Sequence, residues 1–333
     1  MLTIPSNMNT IELHQRDCGF ELQMATQAVP QISGTQLLVK IEYVALNQCD
    51  ARLSKQGFKH WQYPHILGFD AVGTVVQAEK GIFPIVGSKV LFNASQAEQG
   101  MLKEYTAIPN YAVTVVPEGI TNDLAVVLPT SGMAALLAIE KLQLQQGDAI
   151  AISNAQDGVG HFAIQYAKQK GAQVFALAPK AHHKRLRKLG ADFTINCQSQ
   201  KIGEQIKHEL GQPGFDCIIN NQGGDSFIED LNRLRFGGRI ACLNGFNQPD
   251  PDTLFEKSPN IHVISVGGAW LSNSLCAQQH LGFMGEKLLN DIGNGDIIAP
   301  QIEHIEFNVA AIDDALEKIR SNTLATRPTV KIC

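Results

Sequence analysis

The chain has 333 residues, of which 44% are hydrophobic and 18% charged, and its formal net charge is −5. This composition is that of an ordinary globular protein with enough apolar residues for a sizeable core, and the length is typical of two domains. The acidic balance excludes a general electrostatic attraction of the chain for nucleic acid or for an anionic membrane surface.

Seven cysteines are scattered along the chain without a CxxC pair. Their odd number and their spacing argue against a disulfide framework and against a structural zinc site. The N-terminus lacks a basic segment followed by a long apolar run, so no signal peptide is expected. No stretch approaches the roughly 18 apolar residues of a membrane-spanning helix. We therefore expect a reduced, cytoplasmic protein without a membrane partner.

The N-terminal third is predicted to be mostly β, because it contains segments rich in β-branched residues and bounded by Gly and Pro. These segments are 35–46, 66–76, 87–94 and 100–108. The pattern changes near Asp123, where apolar residues take on a helical period around a break at Pro129. From residue 147 onwards, short apolar runs alternate with helical segments, which is typical of a doubly wound parallel sheet. We place the domain boundaries at 1–123, 124–268 and 269–333, the last segment returning to the first domain.

The stretch NAQDGVGHFAIQYAKQKGA, from 154 to 172, has the context of a phosphate-binding turn. It follows the apolar strand AIAIS, and Gly158 and Gly160 open a helix. Glycine lets backbone N–H groups approach a pyrophosphate, and the helix N-terminus adds a partial positive charge. The full GxGxxG is absent, and a tight turn packing a helix on a strand would use glycine too. This fragment alone leaves both interpretations open.

Five further segments accompany this turn in a fixed order: VALNQCDARLSKQG, YPHILGFDAVGTV, LPTSGMAALLAI, LGADFTIN and FGGRIACLNG. Together they resemble the zinc-independent quinone oxidoreductase (zeta-crystallin-like) branch of the medium-chain dehydrogenase/reductase superfamily, over nearly the whole chain. The resemblance implies an α/β fold with a Rossmann-like, NADP-binding parallel sheet and a β-rich GroES-like catalytic domain. It also implies hydride transfer from a nicotinamide to a small quinone or α,β-unsaturated carbonyl.

Asp157 departs from this resemblance, since the branch has a glycine at that place in the turn. A carboxylate aimed at a phosphate would oppose cofactor binding. Alternatively, the side chain caps the helix by accepting a hydrogen bond from one of its free N–H groups. We favour the cap, and we keep weakened or lost cofactor binding as the alternative.

The type of dinucleotide is predicted from the end of the second strand of the βαβ unit. NAD-binding folds usually place Asp or Glu there, about 20 residues after the turn, to hold the ribose. The segment FALAPKAHHKRLRK contains no acid but carries Lys180 and His182 among other bases. Cations suit a 2′-phosphate, so NADP(H) is expected, with a solvated basic helix face as the alternative. The resemblance places His182 and Cys197 where relatives have Lys and Tyr, which leaves Lys180 as the main contact.

Further cofactor contacts are implied by the resemblance. Ser131 stands at the usual Thr and could contact the nicotinamide amide, and Asn244 and Gly245 end a strand where dinucleotides lie. The complete predicted cofactor-binding set is Ser131, Gln156, Asp157, Gly158, Val159, Gly160, Lys180, His182, Asn196, Asn220, Asn244 and Gly245.

The zinc ligands of the related alcohol dehydrogenases are replaced in this sequence. Asn47 stands in NQCD and Phe69 in GFD, where those enzymes have Cys and His. Neither side chain serves as a zinc ligand, and Cys49 is two places away from the expected position. We expect no metal, and therefore reduction of an already polarised double bond in preference to oxidation of a simple alcohol.

The predicted catalytic residues are Asn47, Asp50 and Arg52. Hydride addition to a conjugated carbon builds negative charge on the carbonyl oxygen. Asn47 could donate to that oxygen or position the ribose, or be only a turn residue, and Asp50 is expected to order its loop. Arg52 could stabilise the enolate while solvent supplies the proton, because Arg stays charged. A surface ion pair is the alternative role for Arg52.

Tyr63, Trp61, Phe92 and Trp270 are predicted to line an apolar substrate pocket, although each could be a core residue. The segment NIHVISV is expected to form an edge strand that pairs across a two-fold axis, which gives a homodimer. The predicted function is an NADPH-dependent, zinc-independent reductase of quinones or enones. The alternatives are an enoyl-thioester reductase and an NADPH-binding protein with little turnover, structural or redox-sensing.

Overall fold

The computed structural model describes residues 3–321, 324 and 326–333. The chain divides into two compact units: unit 1 comprises Met1–Met133 and Val266–Cys333, and unit 2 comprises Ala134–Ser265. The first division lies later than the boundary predicted after residue 123. The reason is that Thr130 is hydrogen-bonded to Asp70 inside unit 1, which keeps the intervening segment in that unit.

The N-terminal part of unit 1 is mostly β, as its alternating and β-branched segments predict. Its strands are β1 (Asn7–Arg16), β2 (Gly19–Ala28), β3 (Gln36–Ala45), β4 (His65–Ile66), β5 (Asp70–Ala78), β6 (Lys89–Asn93), β7 (Tyr105–Pro109) and β8 (Thr114–Val115). Its helical elements are α1 (Gln48–Gln56), a 3-10 turn (Asn110–Ala112), α2 (Asn122–Ala125) and a π-helical turn (Pro129–Met133).

Unit 2 alternates helices and strands. Its elements are α3 (Ala134–Lys141), β9 (Ala149–Ser153), α4 (Gly158–Gln169), β10 (Gln173–Ala178), a 3-10 turn (Lys180–His182), α5 (His183–Lys188), β11 (Phe193–Asn196), α6 (Ile202–Leu210), β12 (Phe215–Asn220), α7 (Ser226–Arg233), β13 (Leu234–Cys242), α8 (Pro251–Lys257) and β14 (Asn260–Val263).

The sheet of unit 2 has the order β11-β10-β9-β12-β13-β14, and all of its strand pairs are parallel. The order reverses between β9 and β12, which makes the carboxyl ends of these two strands the switch point of a doubly wound sheet. Every residue of β9 is buried, since a central parallel strand is covered on both faces. The predicted Rossmann-like fold is confirmed, and β14 is an edge strand.

The chain then returns to unit 1 through α9 (Gly268–Leu271), α10 (Leu275–Gly293), β15 (Ile302–Glu306), α11 (Val309–Arg320) and β16 (Arg327–Lys331). Unit 1 contains a seven-stranded sheet, in which β16 lies between β15 and β3, and a three-stranded sheet of β2, β1 and β4. The antiparallel pair of β16 and β3 sets Thr329 opposite Ala45, which brings the last strand beside the start of α1. No helix among the described residues is long and apolar enough to cross a membrane.

Candidate functional site

The turn after β9 is shaped for close approach of the backbone. Asn154 has a φ of 53°, a left-handed conformation that Asn tolerates better than most residues. A Cβ atom on Gly160 would lie 2.2 Å from the carbonyl oxygen of Ala155, so only glycine lets α4 begin so close to the turn. The first N–H groups of α4, those of Gly158 and Val159, have no acceptor within the helix. This end of the helix therefore suits an anion.

Asp157 caps α4, which confirms the favoured interpretation of this residue. Its Oδ1 accepts a hydrogen bond from the Gly160 N–H at 2.9 Å, and its Oδ2 accepts one from Asn221 Nδ2 at 2.5 Å. Arg185 lies close by and donates from Nη2 to the carbonyl oxygen of Gln156 at 2.5 Å. Burial lowers the pKa of Arg185, and the Asp157 charge opposes that shift. The carboxylate is thus tied to unit 2 through both oxygens.

The 3-10 turn after β10 carries Lys180 and His182. Lys180 is exposed and His182 half-buried. Burial, followed by the charges of Arg185 and His183, lowers the pKa of His182 below its ordinary value, so its imidazole is neutral at neutral pH. His182 therefore offers a hydrogen-bonding nitrogen, and Lys180 supplies the positive charge at this position.

The loops after β12 and β13 are tied to each other. Asn220 is fully buried, donates to Asp230 at 2.8 Å and accepts from the Gly223 N–H at 2.9 Å. Asn244 Nδ2 donates to the carbonyl oxygen of Asn221 at 3.0 Å, and the Gly245 carbonyl accepts from the Gly224 N–H at 2.8 Å. The role of Asn220 is therefore to hold the loop after β12 in place through these buried hydrogen bonds.

The remaining predicted residues of unit 2 are Gln156 and Asn196. Gln156 lies in the turn after β9 and donates from Nε2 to the side-chain oxygen of Asn154. Asn196 ends β11, and its side-chain oxygen accepts from the Gln198 N–H at 3.2 Å. The structure therefore brings every predicted cofactor residue except Ser131 to the carboxyl edge of one sheet. Ser131 belongs to unit 1.

The donor set at this edge fits a nicotinamide dinucleotide. The N-terminus of α4 offers N–H groups for a pyrophosphate. No acidic residue follows β10 before α5, where NAD-binding folds place one, and Lys180 is exposed there. Asp157 opposes such a ligand, because its negative charge lies at the same helix end.

In unit 1 the candidate site is organised around Asp70, which is fully buried at the start of β5. Its carboxylate accepts from Asn47 Nδ2 at 3.0 Å, from Asn93 Nδ2 at 2.7 Å, and from the N–H and Oγ1 of Thr130 at 3.0 and 2.8 Å. Burial raises the pKa of Asp70, and these hydrogen bonds oppose the rise. We call Asp70, Asn47, Asn93 and Thr130, together with Arg327 and Ser131 described next, the Asp70 cluster.

Arg327 completes this cluster, and sequence reasoning missed it. Its guanidinium donates from Nη2 to Asn47 Oδ1 and to Ser131 Oγ, the latter at 3.0 Å. Asn47 is buried and is bonded on one side to Asp70 and on the other to Arg327. Its amide orientation is thereby fixed. The only available signal was the basic residue that opens the last predicted strand.

Asp50 orders the NQCD loop, as predicted. Its carboxylate accepts from the Asn47 N–H at 2.8 Å and from the Gly68 N–H at 3.1 Å, and burial raises its pKa to about 7. Arg52 lies exposed on α1. The proposed enolate role of Arg52 stays a prediction.

Of the predicted substrate-pocket residues, all within the described part of the chain, Trp61 and Tyr63 are in ring contact, with centroids 6.3 Å apart, but only Trp270 lines a cavity of about 450 Å³ in unit 1. The Nε1 of Trp270 donates to the Asn93 carbonyl at 3.1 Å. Tyr63 is half-buried and packs on Phe20, with ring centroids 5.2 Å apart. Phe92 is fully enclosed in the hydrophobic core and does not line this cavity. It is a core residue because its position on β6 faces the interior of unit 1.

The positions of the expected zinc ligands hold other groups. Asn47 belongs to the Asp70 cluster, and Phe69 is a fully buried core residue. Over residues 3–321, 324 and 326–333, no group of three or more His, Cys, Asp or Glu side chains is placed to hold a metal ion.

Comparison with known proteins agrees with this architecture. The family model "Alcohol dehydrogenase GroES-like domain" matches residues 33–119, and the model "Zinc-binding dehydrogenase" matches residues 158–284. The trans-enoyl reductase tndF of Aspergillus flavipes is 27% identical over 94% of this chain and 96% of its own length. The chloroplastic NADPH-dependent alkenal/one oxidoreductase of Arabidopsis thaliana is 30% identical over 71% of this chain and 62% of its own length.

Among solved structures, the quinone oxidoreductase from Coxiella burnetii superposes with a TM-score of 0.79 at 22% identity, covering 98% of this chain and 100% of that one. This similarity concerns the fold. The matched models fall on parts of both units, and the relatives are oxidoreductases by name. The chain therefore belongs to the medium-chain dehydrogenase/reductase superfamily, in its quinone oxidoreductase branch, and is an oxidoreductase of that family.

Proposed function

We propose that this protein is an NADPH-dependent, zinc-independent reductase of quinones or α,β-unsaturated carbonyls. The observation that carries the proposal is the carboxyl edge of the unit 2 sheet. There the anion-binding end of α4 is accompanied by exposed Lys180 and by no acidic residue after β10. In this proposal the N–H groups of Gly158 and Val159 hold the pyrophosphate and Lys180 holds the 2′-phosphate.

Bound NADPH would supply a hydride from C4 of its nicotinamide. Asn47 Nδ2 carries two hydrogens, and Asp70 accepts a hydrogen bond from one of them. We assign the second to the carbonyl oxygen on which negative charge develops, or to the ribose. Arg327 keeps the amide oriented by holding its oxygen. Arg52 is proposed to stabilise the enolate, and solvent to supply the proton, since a guanidinium stays charged.

Zinc independence is part of the proposal and is supported by the residue types. An amide and a phenyl ring stand at two ligand positions of the zinc alcohol dehydrogenases, Asn47 and Phe69. Both side chains have structural roles instead. Asn47 is bonded within the Asp70 cluster, and Phe69 is enclosed in the core. Equal activity before and after dialysis against a chelator is the expected result.

The first experiment is a pair of fluorescence titrations with NADPH and NADH, followed by NADPH oxidation with small enones and quinones. Tight NADPH binding, weak NADH binding and steady turnover would support the proposal. Binding without turnover would favour the cofactor-binding alternative, structural or redox-sensing. Failure to bind either nucleotide would mean that the Asp157 carboxylate prevents phosphate binding at this turn.

A second candidate, an enoyl-thioester reductase, is favoured by the name of the Aspergillus flavipes relative. Both reactions use the same hydride acceptor geometry and differ in the group attached to the carbonyl carbon. Comparing an enoyl-CoA thioester with a free enone of equal chain length separates them. A higher kcat/KM for the thioester would move this candidate to the front.

We also propose a homodimer that forms through β14. This strand is the edge of the unit 2 sheet, and Ile261 and Val263 on it are 36% and 57% exposed. Unpaired strand edges favour pairing with a second strand, and a two-fold axis would satisfy both copies. Light scattering is the test, and a monomeric mass at micromolar concentration would refute the dimer.

A further inference from the structure

The cavity of about 450 Å³ in unit 1 is not used by the proposed hydride transfer, and we call it the Lys103 cavity. Met101, Ile108 and Trp270 contribute apolar surface to its wall. Lys103 and His65, which carry side-chain nitrogens, also line it. A cavity of this size, whose wall combines apolar surface with polar and charged groups, can hold a small amphipathic molecule.

Lys103 is buried at this cavity, and few protein acceptors compensate its charge. It is 7% exposed, and its Nζ meets only the Gln99 carbonyl oxygen, at 3.5 Å, among the described residues. Burial lowers its pKa to about 8, and the Glu98 charge opposes the shift. An ammonium removed from water in this way is costly unless an anion or several acceptors approach it. At neutral pH the group is still mainly protonated and offers donors to the cavity.

His65 provides a second donor on the same cavity. It is 1% exposed, and its Nε2 has no hydrogen-bond partner within the part of the chain that the structure describes. Its ring stacks on Trp61 with centroids 3.9 Å apart. Burial, and then the Lys103 charge, lowers its pKa to about 4. A neutral imidazole can carry its proton on Nε2 and donate it to an acceptor.

We propose that the Lys103 cavity binds an organic carboxylate with an apolar body. The carboxylate would accept hydrogen bonds from Lys103 Nζ and His65 Nε2, which are both buried and both short of acceptors. The apolar body would lie against Met101, Ile108 and Trp270. A neutral ligand would leave the ammonium uncompensated, and a small inorganic anion would leave the apolar wall uncovered.

The cavity is next to the Asp70 cluster in unit 1. Trp270, on its wall, donates to the Asn93 carbonyl oxygen, and the Asn93 side chain donates to Asp70. The inference does not depend on the proposed reduction, because it concerns binding alone and is tested without a nucleotide.

The two tryptophans of the chain make the test direct. Trp61 stacks on His65 and Trp270 lines the cavity, so tryptophan fluorescence reports on this region alone. The protein is titrated with hexanoate and, in parallel, with hexanamide, its neutral counterpart. We expect saturable binding of hexanoate and at least tenfold weaker binding of hexanamide. Equal affinity for the two, or binding of neither, would overturn the proposal.

Variants locate the site. Lys103→Met should weaken hexanoate binding at least tenfold, while Lys80→Met, which removes the same charge from an exposed position, should leave it unchanged. His65→Phe keeps an aromatic ring on Trp61 and should weaken binding severalfold. Equal losses in Lys103→Met and Lys80→Met would reveal a general charge effect and overturn the assignment.

The unaltered protein keeps the proposal testable if a variant does not fold. The titratable groups at the cavity are His60, His65, Glu98 and Lys103. Hexanoate affinity should fall as pH rises through about 8, where Lys103 loses its proton. An affinity independent of pH between 7 and about 9 would contradict the assigned role of Lys103.

If the protein reduces enones, kinetics identify the source of the carboxylate. Competition of hexanoate with the enone would make the carboxylate part of the substrate. Inhibition or activation without competition would make it a separate effector. Both results retain the cavity as a carboxylate site.

Discussion

Two aspartates at candidate site positions are held in different ways, one in each unit. Asp70 in unit 1 is fully buried and accepts hydrogen bonds from two amide side chains and from both donors of Thr130. Asp157 in unit 2 is half-buried at the end of a helix and accepts from one backbone N–H and one amide. The first carboxylate organises its surroundings, and the second completes a helix.

The difference shows how burial decides what a carboxylate can contribute. A fully buried carboxylate must have its lone pairs satisfied, so removing it leaves several donors without acceptors. A cap at a helix end is replaced at small cost by another polar side chain or by water. Substitutions in the Asp70 cluster should therefore have large effects, and those at the carboxyl edge of unit 2 should have smaller, ligand-specific effects.

The largest expected effect is that of Asp70→Ala. The substitution leaves Asn47, Asn93 and Thr130 with buried donors that lack an acceptor, and we expect a loss of about 3 kcal/mol or more in the free energy of unfolding. Urea unfolding at neutral pH measures it. Asp123→Ala, which removes a half-buried carboxylate paired with the exposed His304 in unit 1, should cost less than about 1 kcal/mol. Similar losses for the two variants would contradict the role given to Asp70.

Lys103 extends the comparison to a buried charge that has almost no protein partner. Its pKa in the folded protein is about 8, below the ordinary value of 10.5. Between these values the folded protein binds fewer protons than the unfolded chain, so stability should rise with pH. Without ligand, the wild type should gain up to about 3 kcal/mol relative to Lys103→Met from pH 8 to 10.5. The free energies of unfolding of the two proteins are measured over this pH range. The same pH dependence in both would refute the pKa shift.

Arg327→Met tests whether the Asp70 cluster positions Asn47. Losing the guanidinium frees Asn47 Oδ1 and Ser131 Oγ, and kcat with an enone should fall about 10- to 100-fold, as expected for a hydrogen bond to a charged group. Because Arg327 would act through Asn47, the double variant with Asn47→Ala should lose little more than Asn47→Ala alone. Fully additive losses would show that Arg327 acts by another route.

Lys180→Met probes the edge of unit 2 and should affect one nucleotide only. We expect the Kd for NADPH to rise about tenfold, equivalent to the loss of one charge-assisted contact, while the Kd for NADH stays unchanged. Lys188→Met removes the same charge from an exposed position on α5 and is the matched control. A rise in both Kd values, or the same rise in the control, would exclude a specific 2′-phosphate contact.

The fold and the edge of unit 2 could be predicted because their signals are local. Buried parallel strands appear as short apolar runs, and the cap at Asp157 follows from its place before Gly158 at the start of a helix. Asn154, in the same turn, adopts a positive φ that Asn tolerates better than most residues. These features depend on neighbours in sequence, so residue type and spacing were enough.

The Asp70 cluster and the Lys103 cavity depend on contacts between distant segments, which no local pattern carries. Arg327 reaches Asn47 only because β16 pairs with β3. Phe92 was predicted to line a pocket but lies in the core. An apolar residue on a strand can face either a pocket or the core, and its residue type does not distinguish the two. Lys103 stands in a strand-like segment where a lysine is normally exposed, and its burial is evident only in three dimensions.

Asp157→Ser gives the smallest expected effect and bears most directly on the comparison. Serine is a good helix cap, so stability should change by less than about 0.5 kcal/mol, whereas Asp157→Ala should cost about 1 kcal/mol. Removing the carboxylate charge from the anion-binding end of α4 should lower the Kd for NADPH severalfold, measured by nucleotide fluorescence. An unchanged Kd would mean that the Arg185 charge, together with the hydrogen bond from Asn221, already compensates this carboxylate. In that case Asp157, like Asp70, would be committed to holding its own unit together.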